Sequence, residues 1–192
     1  SVEAQGGDGA ASMFDQGTDN YFITNYVYNQ RIIYRTTAGA TRTINSETTS
    51  NGAFICPMAL DSSRDILFAD YTVPGTTPVY GIRRYTNLKS GTVTKTTLTN
   101  TTLITSSPTA LNVSKYSTAA TTLLVGFRNG KVLISANANA ATVTWTDITG
   151  PSFVGSVSDV EFGQSENDIF VTFHNYNVVS IWYSSDRGLT WQ

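Results

Sequence analysis

The chain has 192 residues, 40% of them hydrophobic and only 14% charged, with a formal net charge of −2. That length can bury a real core, and the abundance of Thr, Ser, Asn, Tyr and Phe favours strands, because β-branched and aromatic side chains suit a pleated, half-buried surface. The composition also excludes several classes. The few Lys and Arg are scattered, which leaves no basic surface for nucleic acid. The lone Cys56 permits no internal disulfide and reads as a small core residue. With a single histidine, the usual zinc arrangements are excluded as well. No apolar run approaches the about 18 residues of a membrane helix, and the start lacks the charged-then-apolar pattern of a signal peptide.

In chain order, strand patterns fall at residues 10–15, 19–25, 31–36 and 40–44, and then at 57–61, 64–70, 79–85 and 92–98. Two further sets follow at 108–116, 121–127, 131–135 and 143–148, and at 157–162, 167–173, 179–184 and 190–192. The second member of each set superposes on the others: Asn20-Tyr21-Phe22-Ile23, Asp65-Ile66-Leu67-Phe68, Thr122-Leu123-Leu124-Val125 and Asp168-Ile169-Phe170-Val171. The recurrence, about 46 residues with four strand patterns per unit, is the period of a β-propeller blade. No long amphipathic helix period appears. The expected fold is therefore all-β, a β-propeller with about four four-stranded blades, and a single domain over 1–192. The blades run at about 8–45, 55–100, 108–149 and 156–192.

The segment Ser184-Ser185-Asp186-Arg187-Gly188-Leu189-Thr190-Trp191 fits S-x-D-x-G-x-T-W, the Asp-box turn motif of such blades. Its logic is local: Ser and Asp side chains bond nearby backbone N–H groups, and Gly188 allows positive φ. Ser184, Asp186, Gly188, Thr190 and Trp191 are accordingly structural. Decayed copies stand at Ser135-Ala136-Asn137, where Trp145 is displaced by an insertion, and at 36–42, which lacks the acid.

With Gly6-Gly7-Asp8-Gly9, Gly52-Ala53-Phe54-Ile55-Cys56-Pro57 and the terminal Asp-box, the chain resembles the sortilin-like, BNR-repeat propellers of large secreted bacterial proteins, many of them type IX secretion substrates. That family includes xyloglucanase-type glycoside hydrolases, sialidases and non-catalytic propellers that bind glycans or proteins. The resemblance implies a secreted or cell-surface module binding a glycan or protein partner, with a carbohydrate-active hydrolase as the alternative. Such propellers close with six or more blades, so the chain also reads as part of a longer polypeptide or assembly, completed by further blades of the same chain or another.

By family topology, ligands meet the loops between second and third strands, opposite the Asp-box turns. Those loops contribute Tyr26, Tyr28, Tyr71, Arg128, His174 and Tyr176, whose rings offer flat apolar faces with polar tips. No catalytic residue is assigned. Asp8 and Asp70, the acids placed on that face, are the candidates should the chain be catalytic, whereas Asp15, Asp61, Asp65, Asp168 and Asp186 belong to turns on the other side. Arg31, Arg83, Arg84 and Arg128 do not converge as a sialidase cluster would. No P-loop, dinucleotide or EF-hand pattern appears, and no metal or other cofactor is implied.

Overall fold

The computed structural model describes residues 6–192, whose regular secondary structure is, apart from one short 3-10 turn, antiparallel strand joined by turns and loops. Sheet 1 is β1 (Gly9–Phe14), β2 (Tyr21–Tyr26), β3 (Arg31–Thr36) and β4 (Thr41–Ser46). Sheet 2 is β5 (Met58–Asp61), β6 (Ile66–Asp70), β7 (Ile82–Thr86) and β8 (Thr94–Leu98). Sheet 3 is β9 (Pro108–Val113), β10 (Leu123–Phe127), β11 (Val132–Ser135) and β12 (Thr146–Asp147), and sheet 4 is β13 (Val157–Phe162), β14 (Ile169–Phe173) and β15 (Ile181–Ser184). Each sheet is a meander in which sequence neighbours pair. The fourth strand expected at 190–192 is reduced to one residue pair: Tyr183 N donates to Gln192 O at 2.8 Å, and Gln192 N to Tyr183 O at 2.9 Å. The expected strand at 143–148 likewise shortens to two residues, because the Asn137 to Thr144 turn absorbs its start.

The chain divides into two compact units, one running to Thr99 and one from Asn100 to Gln192. In the first, strand alternation sorts β2 and β3 into two faces. Tyr21, Ile23, Ile32 and Tyr34 point to one side and meet Met58, Leu67, Ala69 and Tyr85 of sheet 2 in a common core. Turns reinforce the contact. The Tyr21 hydroxyl donates to Asp65 Oδ1 at 2.9 Å, and Lys89 Nζ lies 2.7 Å from both Asp19 and Asp65. In the second unit, Leu124, Val132 and Ile134 of sheet 3 pack against Val157, Val160, Ile169, Val171 and Phe173 of sheet 4. Strand β13 lies against β9 and β10. The middle strands β6 and β10 are buried at every residue, whereas β14 alternates between buried and open positions.

Cys56 is buried, as a core cysteine should be, and burial pushes its thiol pKa well up, with the Asp70 carboxylate adding to the effect. It sits in a polar knot rather than an apolar pocket. Asn29 Nδ2 donates to Cys56 Sγ at 2.6 Å and to Asp70 O at 3.2 Å, and Asn25 Nδ2 donates to Asn29 Oδ1 at 2.6 Å. Satisfying these amides in a buried site fixes the β2–β3 loop against the segment entering sheet 2.

The Asp-box turn closes as its residue types require. Ser184 Oγ donates to Asp186 Oδ1 at 2.8 Å, Thr190 N donates to the same oxygen at 2.8 Å, and the Thr190 hydroxyl reaches Asp186 Oδ2 at 2.6 Å. These bonds, with that from Thr190 Oγ1 foremost, pull the Asp186 carboxyl down to a pKa of about 2. Gly188 has φ +86, and a Cβ on it would stand 2.6 Å from Ile148 Cβ, so the position requires glycine twice over. Trp191 Nε1 donates to Ile148 O at 2.9 Å and the ring packs on Phe153 at 4.9 Å, tying the end of sheet 4 to sheet 3. The decayed copy at Ser135 keeps the same bonds with an amide in place of the acid. Ser135 Oγ donates to Asn137 Oδ1 at 3.1 Å, and Thr144 N and Oγ1 donate to that oxygen at 2.9 and 3.0 Å.

Candidate functional site

Within the first unit, the end of sheet 1 that carries the β2–β3 loop holds an open cleft of about 330 Å³ lined by Gly6, Gly7, Tyr26, Gln30, Arg31, Ser46 and Glu47. Strand register builds it. Tyr26 ends β2, Arg31 begins β3 and pairs with Ser46 at the end of β4, so the three side chains gather at one edge. A short 3-10 turn, Val27–Asn29, then returns the chain to Gln30. Gly7 passes so close to Tyr26 that a Cβ would stand 2.7 Å from the ring. The Arg31 guanidinium lies 6.0 Å from the centre of the same ring, at the outer limit of a cation–π contact.

Glu47 forms the opposite wall and is held from sheet 2. Lys95 Nζ donates to its Oε1 at 3.1 Å and also bonds Asn45 Oδ1, while the Tyr71 hydroxyl approaches Oε2 at 3.4 Å. Tyr71 is itself fixed: Asn51 Nδ2 donates to its hydroxyl at 2.9 Å, and the Arg83 guanidinium lies 3.4 Å from its ring centre. The cleft therefore presents an aromatic face, a cation, a carboxylate and an amide, of which the carboxylate is held by Lys95 and Tyr71.

The six expected contact residues divide between the units. In the first, Tyr26 lines the cleft and Tyr71 braces its acidic wall. Tyr28 turns to Phe54, edge-on at 5.4 Å, where its φ of 56° places it in the left-handed region. In the second, Arg128 and His174 are exposed and Tyr176 is 95% exposed. Their loops come to the same end of sheets 3 and 4 through Gly155. A Cβ on Gly130 would stand 2.9 Å from Gly155 O, and Ser156 N donates to Asn175 Oδ1 at 2.6 Å. Asp8 is exposed. Asp70 is fully buried, and its carboxylate accepts from Ala53 N at 2.8 Å, Thr72 N at 2.9 Å and the Thr72 hydroxyl at 2.7 Å, which makes it a turn and linker clamp. Asp61, Asp65 and Asp168 likewise accept turn or cross-strand bonds.

Sequence reasoning missed Gln30, Ser46 and Glu47 as site residues. The signal for Ser46 and Glu47 would have been their position at and just past the end of the strand paired with β3, which needs the register of β3 on β4 and not merely the strand pattern. Neither a protein-family model nor a curated protein matches this sequence.

Proposed function

We propose that this chain is part of a β-propeller, its four meanders being blades, and that it acts as a secreted or cell-surface module binding a glycan, with the Tyr26 cleft as the contact site. Three features support the propeller. The sheets repeat one meander order, paired sheets pack face to face through alternating side chains, and sheets 3 and 4 close their third turns with the same Ser–Asx–Thr bonding.

The observation that carries the binding role is the cleft itself: a Tyr ring beside Arg31, Gln30, Ser46 and Glu47 in a volume of about 330 Å³. That size lies at the low end of ligand sites. A pyranose offers an apolar ring face to stack on Tyr26 and hydroxyls that both donate and accept, which suits a wall carrying one carboxylate, one guanidinium and one amide. Among the described lining residues Glu47 is the carboxylate, and Lys95 and Tyr71 hold it as an acceptor. A glycosidase of the usual kind needs a facing carboxyl pair. The module reading therefore has the better support.

The test is binding of the purified chain to an array of immobilised oligosaccharides that includes xyloglucan fragments and sialosides. Any hit should lose about tenfold or more in affinity in Tyr26→Ala, equivalent to about 1.4 kcal/mol of stacking. Hits indifferent to Tyr26→Ala and Gln30→Ala, or an array without hits for a folded chain, would reject the assignment.

A further inference from the structure

Sheet 4 carries a cavity of its own at its turn end. It is a groove of about 570 Å³ lined by Gly163, Gln164, Asp168, Phe170 and Tyr183, a volume within the range of small-ligand sites. Strand register builds it. Phe170 of β14 pairs with Tyr183 of β15, so both rings stand on one face, 4.8 Å apart and tilted by 35°. Phe170 is 41% exposed. Gly163 keeps that ring reachable, because a Cβ there would stand 3.1 Å from Phe170 Cε2 and 2.9 Å from Asp168 Cβ and would fill the space beside the ring. The φ of Gly163 lies outside the left-handed region, so glycine supplies room here rather than backbone freedom. The wall is fixed from sheet 3, where the Tyr116 hydroxyl donates to Gly163 O at 2.6 Å.

The charge of the groove is not balanced. Asp168 accepts from the Ser165 hydroxyl through Oδ2 at 2.7 Å and from the Tyr183 hydroxyl through Oδ1 at 2.9 Å. Both donors are neutral. They hold the carboxyl below the usual carboxylate range, Ser165 foremost, and leave its charge in place. Among the described residues no lysine or arginine forms an ion pair with Asp168. Arg187, whose N–H bonds Asn167 O beside it, pairs with Glu166 at 3.0 Å, and Lys115 lies 5.2 Å from the centre of the Tyr116 ring. A phenol that donates to a carboxylate gains electron density in its ring, so the two ring faces and the carboxylate all favour a cation.

We infer that this groove binds a small quaternary ammonium ion, its trimethylammonium group seated against the Phe170 and Tyr183 rings beside Asp168. Each Asp168 oxygen already accepts a hydroxyl, so the carboxylate offers charge more than hydrogen-bonding capacity. That selects the occupant. A quaternary ammonium has no N–H to satisfy, and its methyl groups pack on ring faces, whereas a lysine ammonium would bring three donors to few open acceptors. A neutral sugar would stack but leave the charge unused. Gln164 is exposed and can bond a hydroxyl or phosphate at the other end of the ligand. The groove lies in the second unit, so it stands or falls separately from glycan binding at Tyr26.

Titration of the isotope-labelled chain with choline at constant ionic strength, followed by amide chemical shifts, tests it. The amides of Gly163 to Phe170 and of Tyr183 should shift saturably with a Kd of about 1–10 mM, as suits two ring contacts and one solvent-screened charge. The neutral isostere of choline, with a tert-butyl group in place of trimethylammonium, should bind about tenfold more weakly or worse. Phe170→Leu, which keeps apolar bulk without a π face, and Asp168→Asn, which keeps an acceptor oxygen without the charge, should each weaken choline by about fivefold or more. Glycerophosphocholine binding more tightly than choline identifies a lipid headgroup as the source, and weaker binding a free solute; in both cases trimethylammonium is the recognised group. An absence of saturable shifts up to about 50 mM choline, equal affinity for the neutral isostere, or full affinity in both folded variants overturns the proposal. The isostere comparison uses the parent chain, so it decides the matter even where a variant fails to fold.

Discussion

Replacing Gly126 with alanine probes how sheets 3 and 4 meet. Gly126 lies in β10 on the side facing sheet 4, and its φ lies outside the left-handed region, so alanine suits the backbone. A Cβ there would stand 2.8 Å from Val157 Cβ and 3.0 Å from Val160 Cγ1, and would clash with Val157 Cγ1. Two effects compete. Removing glycine's freedom in the unfolded chain stabilises by about 0.4–1 kcal/mol. Forcing a methyl group into a filled contact costs about 1–3 kcal/mol. The clash should win, because the neighbours are Cβ and Cγ atoms of stiff β-branched residues rather than the ends of flexible chains. The net loss should be about 1–2 kcal/mol, which for a chain of this length lowers Tm by about 2–8 °C. Val157→Ala alone should cost about 2 kcal/mol, from two methyl groups at about 0.8 kcal/mol each plus a small cavity. In the double variant the new Cβ occupies the vacated space, so the cost should fall short of the sum by about 1 kcal/mol. Urea unfolding of the four proteins measures all of this. A Gly126→Ala variant more stable than the parent, or strict additivity with Val157→Ala, would refute face-to-face packing of these sheets.

The Asp-box gives a pH test. Its carboxylate is held at a pKa of about 2, below the unfolded value, so its contribution is present above about pH 4 and is lost as pH falls towards 2. Asp186→Asn should flatten that acid limb of the stability curve and leave ligand binding unchanged; an unaltered limb would remove Asp186 from the turn's energetics. Asn137→Ala should lower stability by about 1 kcal/mol, the net worth of a side-chain clamp, while Asn137→Asp should be tolerated. Equal stability of the Ala variant in denaturant would show that the sheet 3 turn does not depend on its box. The Tyr85 hydroxyl is buried without a hydrogen-bond partner among the described residues, so Tyr85→Phe should leave Tm unchanged or raise it. A clear fall in Tm would mean that the hydroxyl is satisfied.

The strands were legible because their signal is local. Ile66 to Asp70 and Leu123 to Phe127 are short apolar runs between turn residues, and each became a fully buried middle strand. The Asp-box was legible for the same reason: the bonds among its Ser184, Asp186 and Thr190 span four residues or fewer. The cleft was half legible. Tyr26 could be placed from its loop, but Glu47 reaches it only through sheet register, and its anchors are Lys95 on β8 and Tyr71 in the loop that follows β6. Asp70 misled because an acid at a strand end followed by Tyr and Thr looks solvent-facing. Its burial follows from the linker carrying Ala53, whose N–H finds its acceptor there. The decayed box at Ser135 was readable only as a loss. The structure keeps its bonds because an amide oxygen accepts as a carboxylate does, and the longer loop still returns Thr144 to it.

The propeller assignment is tested most directly by an experimental structure of the chain, read for the placement of the first strand of each meander. In a propeller, β1, β5, β9 and β13 should lie nearest a common axis and β4, β8 and β12 outermost, with Tyr183 and Gln192 beginning the outer edge of sheet 4. Sheets stacked as a two-layer sandwich, or first strands distributed between inner and outer positions, would contradict it.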